Sequence, residues 1–249
     1  MKLSRFVPRS VGKWMPLMIA LVASSLTREA AAQKRFDSRR DVPHAKVSLG
    51  VRGQGWSSSG FDPYSGSDFT GALSLGADAT LLRRQRFSLA AGFGWDFSTF
   101  NDSMRGQDFN FTVHRLQVPI EGRWHLAHWL YGFGKVSPGM VVSRASVQLE
   151  PDVGRYSDTR FAFATDLAVG AAFGVSPAYS RYGQRHPVRL WLQPELGWSL
   201  AGKTTYALTP PDERPDSDGV LLPGTTVATR LPGFSASGPF FRISLALAF

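Results

Sequence analysis

The stretch Phe241-Arg-Ile-Ser-Leu-Ala-Leu-Ala-Phe249 decides the fold class, because apolar residues occupy every second position throughout it. A period of two is typical of a β-strand with one face in an apolar environment. An exposed strand of this kind is rare in a soluble protein, since an unpaired apolar edge promotes aggregation. In a closed barrel the last strand pairs with the first and leaves no edge. We therefore predict that residues 239–249 close a barrel.

The same alternation recurs upstream, between segments rich in turn-forming residues. It predicts seven further strands, at about residues 46–56, 69–81, 87–97, 109–124, 129–143, 161–175 and 188–200. With the closing strand the count is eight, and the predicted fold is an all-β, antiparallel, up-and-down transmembrane β-barrel. Ten strands remain open as an alternative if Thr204–Leu208 and Gly224–Leu231 form a hairpin that joins the sheet.

Two of these strands change the phase of their alternation. In 109–124 the apolar set moves from Phe109, Phe111 and Val113 to the even-numbered positions from His114 onward. An extra residue in one strand of a pair produces such a change, so we predict a bulge near His114-Arg115. The strand 129–143 also changes phase, around residues 135–138, and the pattern leaves open whether the two changes are bulges or errors in the assigned register.

Composition fits a membrane barrel and excludes a helical membrane protein and a disulfide-based fold. The 249 residues are 12% aromatic, yet the mean hydropathy is only −0.12, as expected when alternate residues face lipid. After the first 32 residues no apolar run reaches 18 residues, which excludes helical membrane spans. Without cysteine, neither a disulfide framework nor a thiolate site is available.

The first segment has the order of a secretory signal peptide. Basic residues in 1–14 precede the apolar run Met15–Leu26, and Ala30-Ala31-Ala32 supplies small residues for cleavage. We predict a signal peptide at 1–32, a disordered periplasmic lead-in at 33–45 and the barrel at 46–249. Residues 1–32 carry +4 of the formal net charge of +9. The other basic residues are scattered, so no nucleic-acid partner is expected.

Connection lengths and aromatic residues predict the orientation. Connections 57–67, 100–108, 145–160 and 203–233 are expected outside, and 83–86, 125–128 and 176–187 in the periplasm, because the first set is longer on average than the second. Aromatic side chains collect at membrane interfaces. The predicted outer girdle contains Phe69, Phe97, Phe109, Phe161, Trp198 and Phe241, and the predicted periplasmic girdle contains Phe87, Trp124, Trp129, Phe173 and Phe249.

Charged residues of both signs fall on the predicted inward face. An eight-stranded barrel encloses little more than its own side chains, and a lone buried charge is costly, so these charges are expected to pair. This favours a plugged lumen over a conducting or catalytic one. The predicted lumen charge network consists of Arg52, Asp78, Asp96, Arg115, Glu121, Arg123, Asp166, Arg189, Glu195 and Arg242, with Lys135 on the same face.

The closing strand resembles the terminal insertion signal of bacterial outer-membrane barrels, with Phe241, Ile243, Leu245, Leu247 and the final Phe249 at alternate positions. The segment Arg115–Leu126 is also similar to a strand common in the small outer-membrane β-barrel domain families. The resemblance covers roughly residues 46–249. It implies a location in the outer membrane among its lipids and lipopolysaccharide, and recognition by the barrel-assembly machinery during insertion.

No motif predicts a catalytic site, a cofactor or a metal. His125 and His128 flank a predicted periplasmic turn, where a solvated pair is favoured over a metal site. The acidic loop residues Asp152, Asp158, Asp212, Asp216 and Asp218 do not match the spacing of a calcium loop. Small outer-membrane lipid A deacylases use a Ser-His-acid set on the outer wall of a barrel, which makes His114 a weak candidate for a lipid-modifying enzyme.

We therefore expect a structural or surface-interaction role through the external loops, chiefly 203–233, toward a ligand that the sequence does not identify. Three alternatives stay open: a narrow channel for ions or small solutes, an outer-membrane lipid-modifying enzyme, and a soluble periplasmic ligand-binding β-barrel.

Overall fold

The computed structural model describes residues 42–56, 69–104, 107–150, 153–176, 188–208, 229–230 and 234–249. The predicted signal peptide lies outside these residues, as do Asp152, Asp212, Asp216, Asp218 and most of the 203–233 connection. In the described part of the chain, no helix is long and apolar enough to cross a membrane.

The described residues form strands almost throughout. In chain order these are β1 Ala45–Gly55, β2 Phe69–Arg84, β3 Phe87–Met104, β4 Gln107–Gln117, β5 Ile120–Ala127, β6 Leu130–Glu150, β7 Val153–Gly174, β8 Arg189–Ala201, β9 Lys203–Thr204, β10 Ala207–Leu208, β11 Thr229–Arg230, β12 Phe234–Ser235 and β13 Gly238–Ala248. Strands β1–β8 and β13 make one large antiparallel sheet, whereas β10 with β11 and β9 with β12 form two small separate sheets.

The large sheet closes on itself. β13 pairs with β1 from Phe240↔Gln54 to Ala248↔Lys46, and the remaining strands continue around the ring to β8, which pairs with the other side of β13. β4 and β5 act as one strand, because both pair with β3 and β6 in the same register on either side of Pro119. Proline lacks the N–H that the ladder needs there. The nine elements thus make eight strands, and the predicted barrel fold is confirmed.

The two ends of the barrel differ. At one end, called the turn end, two-residue turns at 85–86 and 128–129 join consecutive strands. At the other end, called the mouth, the strands are joined through 57–68 and 202–237, and two long hairpins project. β6 has 21 residues and β7 has 22, about twice the 9–11 residues that cross a bilayer.

The predicted loops at 100–108 and 145–160 are therefore wrong. β3 continues to Met104 and β4 starts at Gln107, while β6 reaches Glu150 and β7 starts at Val153. These segments resemble loops in composition because a strand beyond the membrane carries polar residues on its outer face.

The predicted bulge near His114-Arg115 is also wrong, and the change of phase around 135–138 is not a bulge either. The register is continuous along β4, β5 and their partners at both places. Along β4 and β5 the odd-numbered residues face the lumen, first Phe111 and Val113 and then Arg115. What changes along the strand is the polarity of its two faces. Near the mouth the inward side chains are apolar and the outward ones polar, whereas deeper in the barrel the inward side chains are charged and the outward ones apolar. Shifts of register lie near the turn end, between Thr80 and Leu82 and between His125 and Ala127.

The possible hairpin within 203–233 exists but does not enlarge the barrel. β10 pairs with β11 and β9 with β12, apart from the large sheet. The ten-strand alternative is therefore wrong.

The described end of the predicted lead-in is packed rather than disordered. Val42 and Pro43 are buried, and the His44 N–H donates to the carbonyl oxygen of Phe249 at 2.7 Å. Residues 42–45 thus belong to the folded unit.

The outer wall is apolar over the middle of every strand of the barrel. Leu196 is 65% exposed, Phe163 70% and Val51 58%. The same holds for Val47, Leu49, Leu73, Leu75, Phe93, Val118, Ile120, Val136, Met140, Leu167, Val169, Ile243, Leu245 and Leu247. Monomeric soluble proteins rarely expose apolar patches beyond a few hundred Å². A belt that runs around the whole barrel is that of a barrel surrounded by lipid.

Two glycines on β6 test the strand packing. A Cβ at Gly139 would lie 2.0 Å from the carbonyl oxygen of Leu116, whereas one at Gly134 would meet no atom within 4 Å. Gly139→Ala should lower the free energy of unfolding by about 1–3 kcal/mol, because β4 must move away. Gly134→Ala should leave it nearly unchanged. Urea unfolding in detergent micelles, followed by tryptophan fluorescence, measures both, and equal midpoints for the two variants would contradict this packing.

Candidate functional site

The lumen is the candidate site, and its middle holds a network of buried ion pairs. Arg52 and Arg242 both bind the Asp96 carboxylate, at 2.9 and 2.8 Å. Arg242 also binds Glu195 at 3.0 Å, and Glu195 binds Lys135. These side chains come from β1, β3, β6, β8 and β13. Arg242 and Glu195 are neighbours across the β8–β13 ladder, whereas the other pairs join strands that are not adjacent.

The same network continues toward the mouth through Asp166. This carboxylate binds Arg115 at 2.6 Å and also Arg52. Side-chain exposure is at most 4% for all three residues. We call the whole set the central network, formed by Arg52, Asp96, Arg115, Lys135, Asp166, Glu195 and Arg242.

A second group of ion pairs, the lower network, lies nearer the turn end. Lys46 binds Asp78 at 3.2 Å and Glu121 at 3.4 Å. Arg123 binds the same two carboxylates, at 2.5 and 2.7 Å. Sequence reasoning missed Lys46, which lies at the first position of the predicted strand 46–56 but was not included in the predicted lumen network. Lys46 and Arg52 are both even-numbered residues of β1 and therefore share its inner face. This alternation was the signal that could have identified Lys46.

Arg189, also expected in the lumen network, lies at the turn end beneath these pairs. It is 2% exposed, donates to the carbonyl oxygen of His128 at 2.6 Å and lies 4.7 Å from the Trp191 ring centroid. Trp191 belongs to the floor cluster of Tyr131, Phe133, Ala172, Trp191, Ala246 and Ala248. Aromatic side chains and a guanidinium thus fill the lower end of the lumen.

His125 lies in this floor and not in a solvated turn, which corrects the sequence interpretation. It is 1% exposed, its Nε2 atom is 2.8 Å from Ser88 Oγ, and its ring is 5.1 Å from that of Tyr131. His125 and His128 therefore do not form an exposed pair, because the odd-numbered face of β5 points inward as far as His125.

An aromatic cluster closes the mouth. It contains Trp56, Phe111, Val113, Val141, Ala145, Val147, Ala164, Tyr206, Phe234 and Ala236, and we call it the mouth cluster. Tyr206, Phe234 and Ala236 belong to the connection between β8 and β13. The Phe234 ring lies 4.6 Å from Trp56 and 5.0 Å from Phe111. The described part of this connection therefore folds into the barrel.

Hydrogen bonds tie this inserted segment to the barrel. Gln54 and Arg115 both donate to the carbonyl oxygen of Ala236, at 2.8 and 3.1 Å. The Tyr206 hydroxyl lies 2.5 Å from Ser143 Oγ. Burial raises the pKa of the Tyr206 phenol above its ordinary value, so its proton is retained. Because Arg115 also binds Asp166, the mouth cluster and the central network are mechanically connected.

Little space remains between these layers. A cavity of about 60 Å³ separates the central and lower networks, bordered by Lys46, Asp78, Glu121, Glu195 and Arg242 among others. A second space of about 20 Å³ lies beneath Trp56. Polar cavities of this size hold a few ordered waters.

Most predicted girdle residues lie on the outer wall. Phe69, Phe87, Trp124, Phe161, Trp198, Phe241 and Phe249 are exposed, whereas Phe97, Trp129 and Phe173 are partly buried. Phe109 was assigned wrongly, because it packs against the mouth cluster inside the barrel. It shares the inward parity of Phe111, and the bulge that would have turned it outward is absent from the described register.

The predicted insertion signal lies in β13 and the residue that follows it. Phe241, Ile243, Leu245, Leu247 and Phe249 are all 40–52% exposed on the outer wall. Recognition of these residues by the assembly machinery stays a prediction.

His114, the weak enzymatic candidate, faces outward among aromatic rings. Its Nδ1 atom accepts a hydrogen bond from Trp95 Nε1 at 3.3 Å, and its ring is 5.1 Å from that of Phe97. Among the described residues, no serine or carboxylate is hydrogen-bonded to it, and no three potential metal ligands cluster in that part of the chain. Asp158, the described member of the acidic loop set, binds Arg160 at 2.7 Å.

The central network predicts a large stability effect at one residue. Asp166→Asn leaves Arg115 and Arg52 buried without that carboxylate, and should cost about 3–5 kcal/mol of unfolding free energy. The control, Arg160→Gln, breaks a pair whose guanidinium is 45% exposed and should cost less than about 1 kcal/mol. Urea unfolding in micelles gives both values. A loss at Asp166 no larger than at Arg160 would show that the network is not needed for stability.

Comparisons with known proteins give structural similarity only. No family model and no curated protein matches the chain. The structure of Ail, the attachment invasion locus protein of Yersinia pestis, solved with the heparin analogue sucrose octasulfate, is 10% identical and has a TM-score of 0.42; 82% of this chain and 97% of that chain are covered. Neisserial surface protein A is 11% identical with a TM-score of 0.37, over 83% of this chain and 97% of that chain. The outer membrane protease OmpT of Escherichia coli is 9% identical with a TM-score of 0.39, over 87% of this chain and 97% of that chain. The eight-stranded closure itself rests on the strand pairing of this chain.

Proposed function

We propose that the protein is a small outer-membrane barrel with a plugged lumen, and that it acts through surface contacts of its outer loops and hairpins. One observation carries the proposal: the lumen is occupied at every level. From the mouth downward it holds the mouth cluster, the central network, the lower network and the floor cluster. An interior filled in this way leaves the ends of the barrel as the chemically accessible surface.

The membrane location is supported by the outer wall. Leu196 and Phe163 are more than 60% exposed on strands whose inner faces carry buried charge. A soluble ligand-binding barrel has the opposite arrangement, with the apolar face inside. The predicted signal peptide and the short turns at one end favour the outer membrane, with the turn end in the periplasm. Its lipid, lipopolysaccharide and assembly machinery are then the expected partners.

The two remaining alternatives are less well supported. A channel needs a continuous aqueous path, whereas the spaces that border the central network inside the described lumen are small, about 60 and 20 Å³. A hydrolase needs a nucleophile and an orienting acid beside its base, and the described contacts of His114 are with Trp95 and Phe97.

The outer end offers two surfaces for an interaction. One is the connection between β8 and β13, which is anchored through Tyr206, Phe234 and Ala236. The other is the pair of hairpins β3–β4 and β6–β7, whose outward side chains include Thr99, Asn101, Arg144 and Thr159. Rigid strands that carry polar side chains beyond a membrane suit adhesive or structural contacts, with the partner still to be identified.

Planar-bilayer recording tests the plugged lumen. The refolded protein should insert without producing unitary conductance steps, because paired side chains fill its cross-section. Removing the mouth cluster alone, with Tyr206→Ala and Phe234→Ala, should leave it closed, since the central network lies beneath. An open porin recorded in the same membrane is the positive control. Reproducible ion-selective steps from the unmodified protein would establish the channel alternative instead.

A further inference from the structure

The turn between β2 and β3 concentrates positive charge. Arg83, Arg84 and Arg86 lie within four residues, and residues 81–89 contain no carboxylate. Arg84 and Arg86 are exposed. Arg84 pairs with Phe87 across the turn, and Gln85 has a φ of 48°, which lies in the left-handed region. The two exposed guanidiniums are therefore presented from a tight, ordered turn.

This turn lies at the edge of the apolar wall. Phe87 pairs with Trp124, and both rings are exposed, at 37% and 55%. Leu81 and Leu82, just before the turn, are 67% and 51% exposed. Aromatic side chains mark the depth of lipid headgroups. The guanidiniums of Arg84 and Arg86 thus lie where lipid phosphates are found.

The acidic residues of the neighbouring strands do not neutralise the turn. Asp78 on β2 and Glu121 on β5 point into the lumen, where Lys46 and Arg123 bind both. The third arginine of the turn, Arg83, is held at its base, within 3.2 Å of His44 Nε2 and 3.4 Å of the Pro43 carbonyl oxygen. The described outer surface here is therefore cationic.

We propose that this turn binds the phosphate of anionic phospholipids in the periplasmic leaflet, with Arg84 and Arg86 as the phosphate ligands and Trp124 beside the acyl chains. The proposal rests on the outer-membrane orientation given above. A guanidinium presents a planar set of donors that matches phosphate geometry, and each basic residue near an anionic surface raises affinity about fivefold. The ligand class is a phospholipid with a net negative headgroup, such as phosphatidylglycerol.

Native mass spectrometry of the detergent-refolded protein tests this inference. The protein is titrated with phosphatidylglycerol and with phosphatidylcholine of identical acyl chains, and the apparent dissociation constants are compared. The unmodified protein should prefer phosphatidylglycerol. Arg84→Gln with Arg86→Gln should reduce that preference by about 25-fold at low salt. Arg84→Lys with Arg86→Lys should retain most of it, because the charge remains.

The matched control removes two exposed arginines from the opposite end, Arg144→Gln with Arg160→Gln, and should leave the preference unchanged. Excess inorganic phosphate should not displace the lipid; displacement at similar concentrations would indicate a free-phosphate site and overturn the lipid assignment. An equal preference in the unmodified and Gln variants would also overturn it.

Each protein is first checked for a band that shifts on boiling in electrophoresis, as folded membrane barrels show. A missing shift in the unmodified protein would contradict the proposed barrel, whereas a normal shift with no lipid preference would contradict this inference alone.

Discussion

The pairing of β13 with β1 is the interaction on which the rest of the structure depends. Backbone N–H and C=O groups have no water to bind in a bilayer, so a sheet there must leave no edge. Nine consecutive residue pairs between Lys46 and Gln54 on β1 and their β13 partners provide that closure. Closure divides the side chains of every strand into an inner and an outer set, and each set meets a different solvent.

The inner set must then satisfy its own charges. The lower network has two cations and two carboxylates, and the central network four cations and three carboxylates. Carboxylates shared between two cations, such as Asp96 and Asp166, reduce the cost of burying the positive excess. Polar pairing of this kind also fixes the walls relative to one another, because every link except Arg123–Glu121, which lies within β5, joins different strands. The described part of the β8–β13 connection is attached to the central network by the hydrogen bond from Arg115 to the carbonyl oxygen of Ala236.

The alternation of residues was sufficient to predict the eight strands, the closed topology and the inward face of Arg52, Asp96 or Glu195. It failed where the surroundings of a strand change along its length. Above the membrane the outside of the wall meets water, so Phe109 lies on the inner face of β4 and Thr112 on the outer face. A prediction that assumes apolar residues always face outward mistakes this change of surroundings for a bulge. Lys46 and His125 were missed because composition near strand ends resembles that of loops. The mouth cluster depends on Tyr206 and Phe234, which lie far along the chain from Trp56 and carry no local signal of that contact.

The central claim is that the exposed apolar wall faces lipid, with the turn end in the periplasm. Single cysteines in this cysteine-free chain, probed with a membrane-impermeant maleimide, test it most directly. On intact cells Thr159→Cys should react and Gln85→Cys should react only after the outer membrane is permeabilised. Leu196→Cys, although its native side chain is 65% exposed, should stay unreactive until the protein is denatured. Rapid reaction at position 196 in the folded protein would show that water covers this wall and would contradict the membrane barrel.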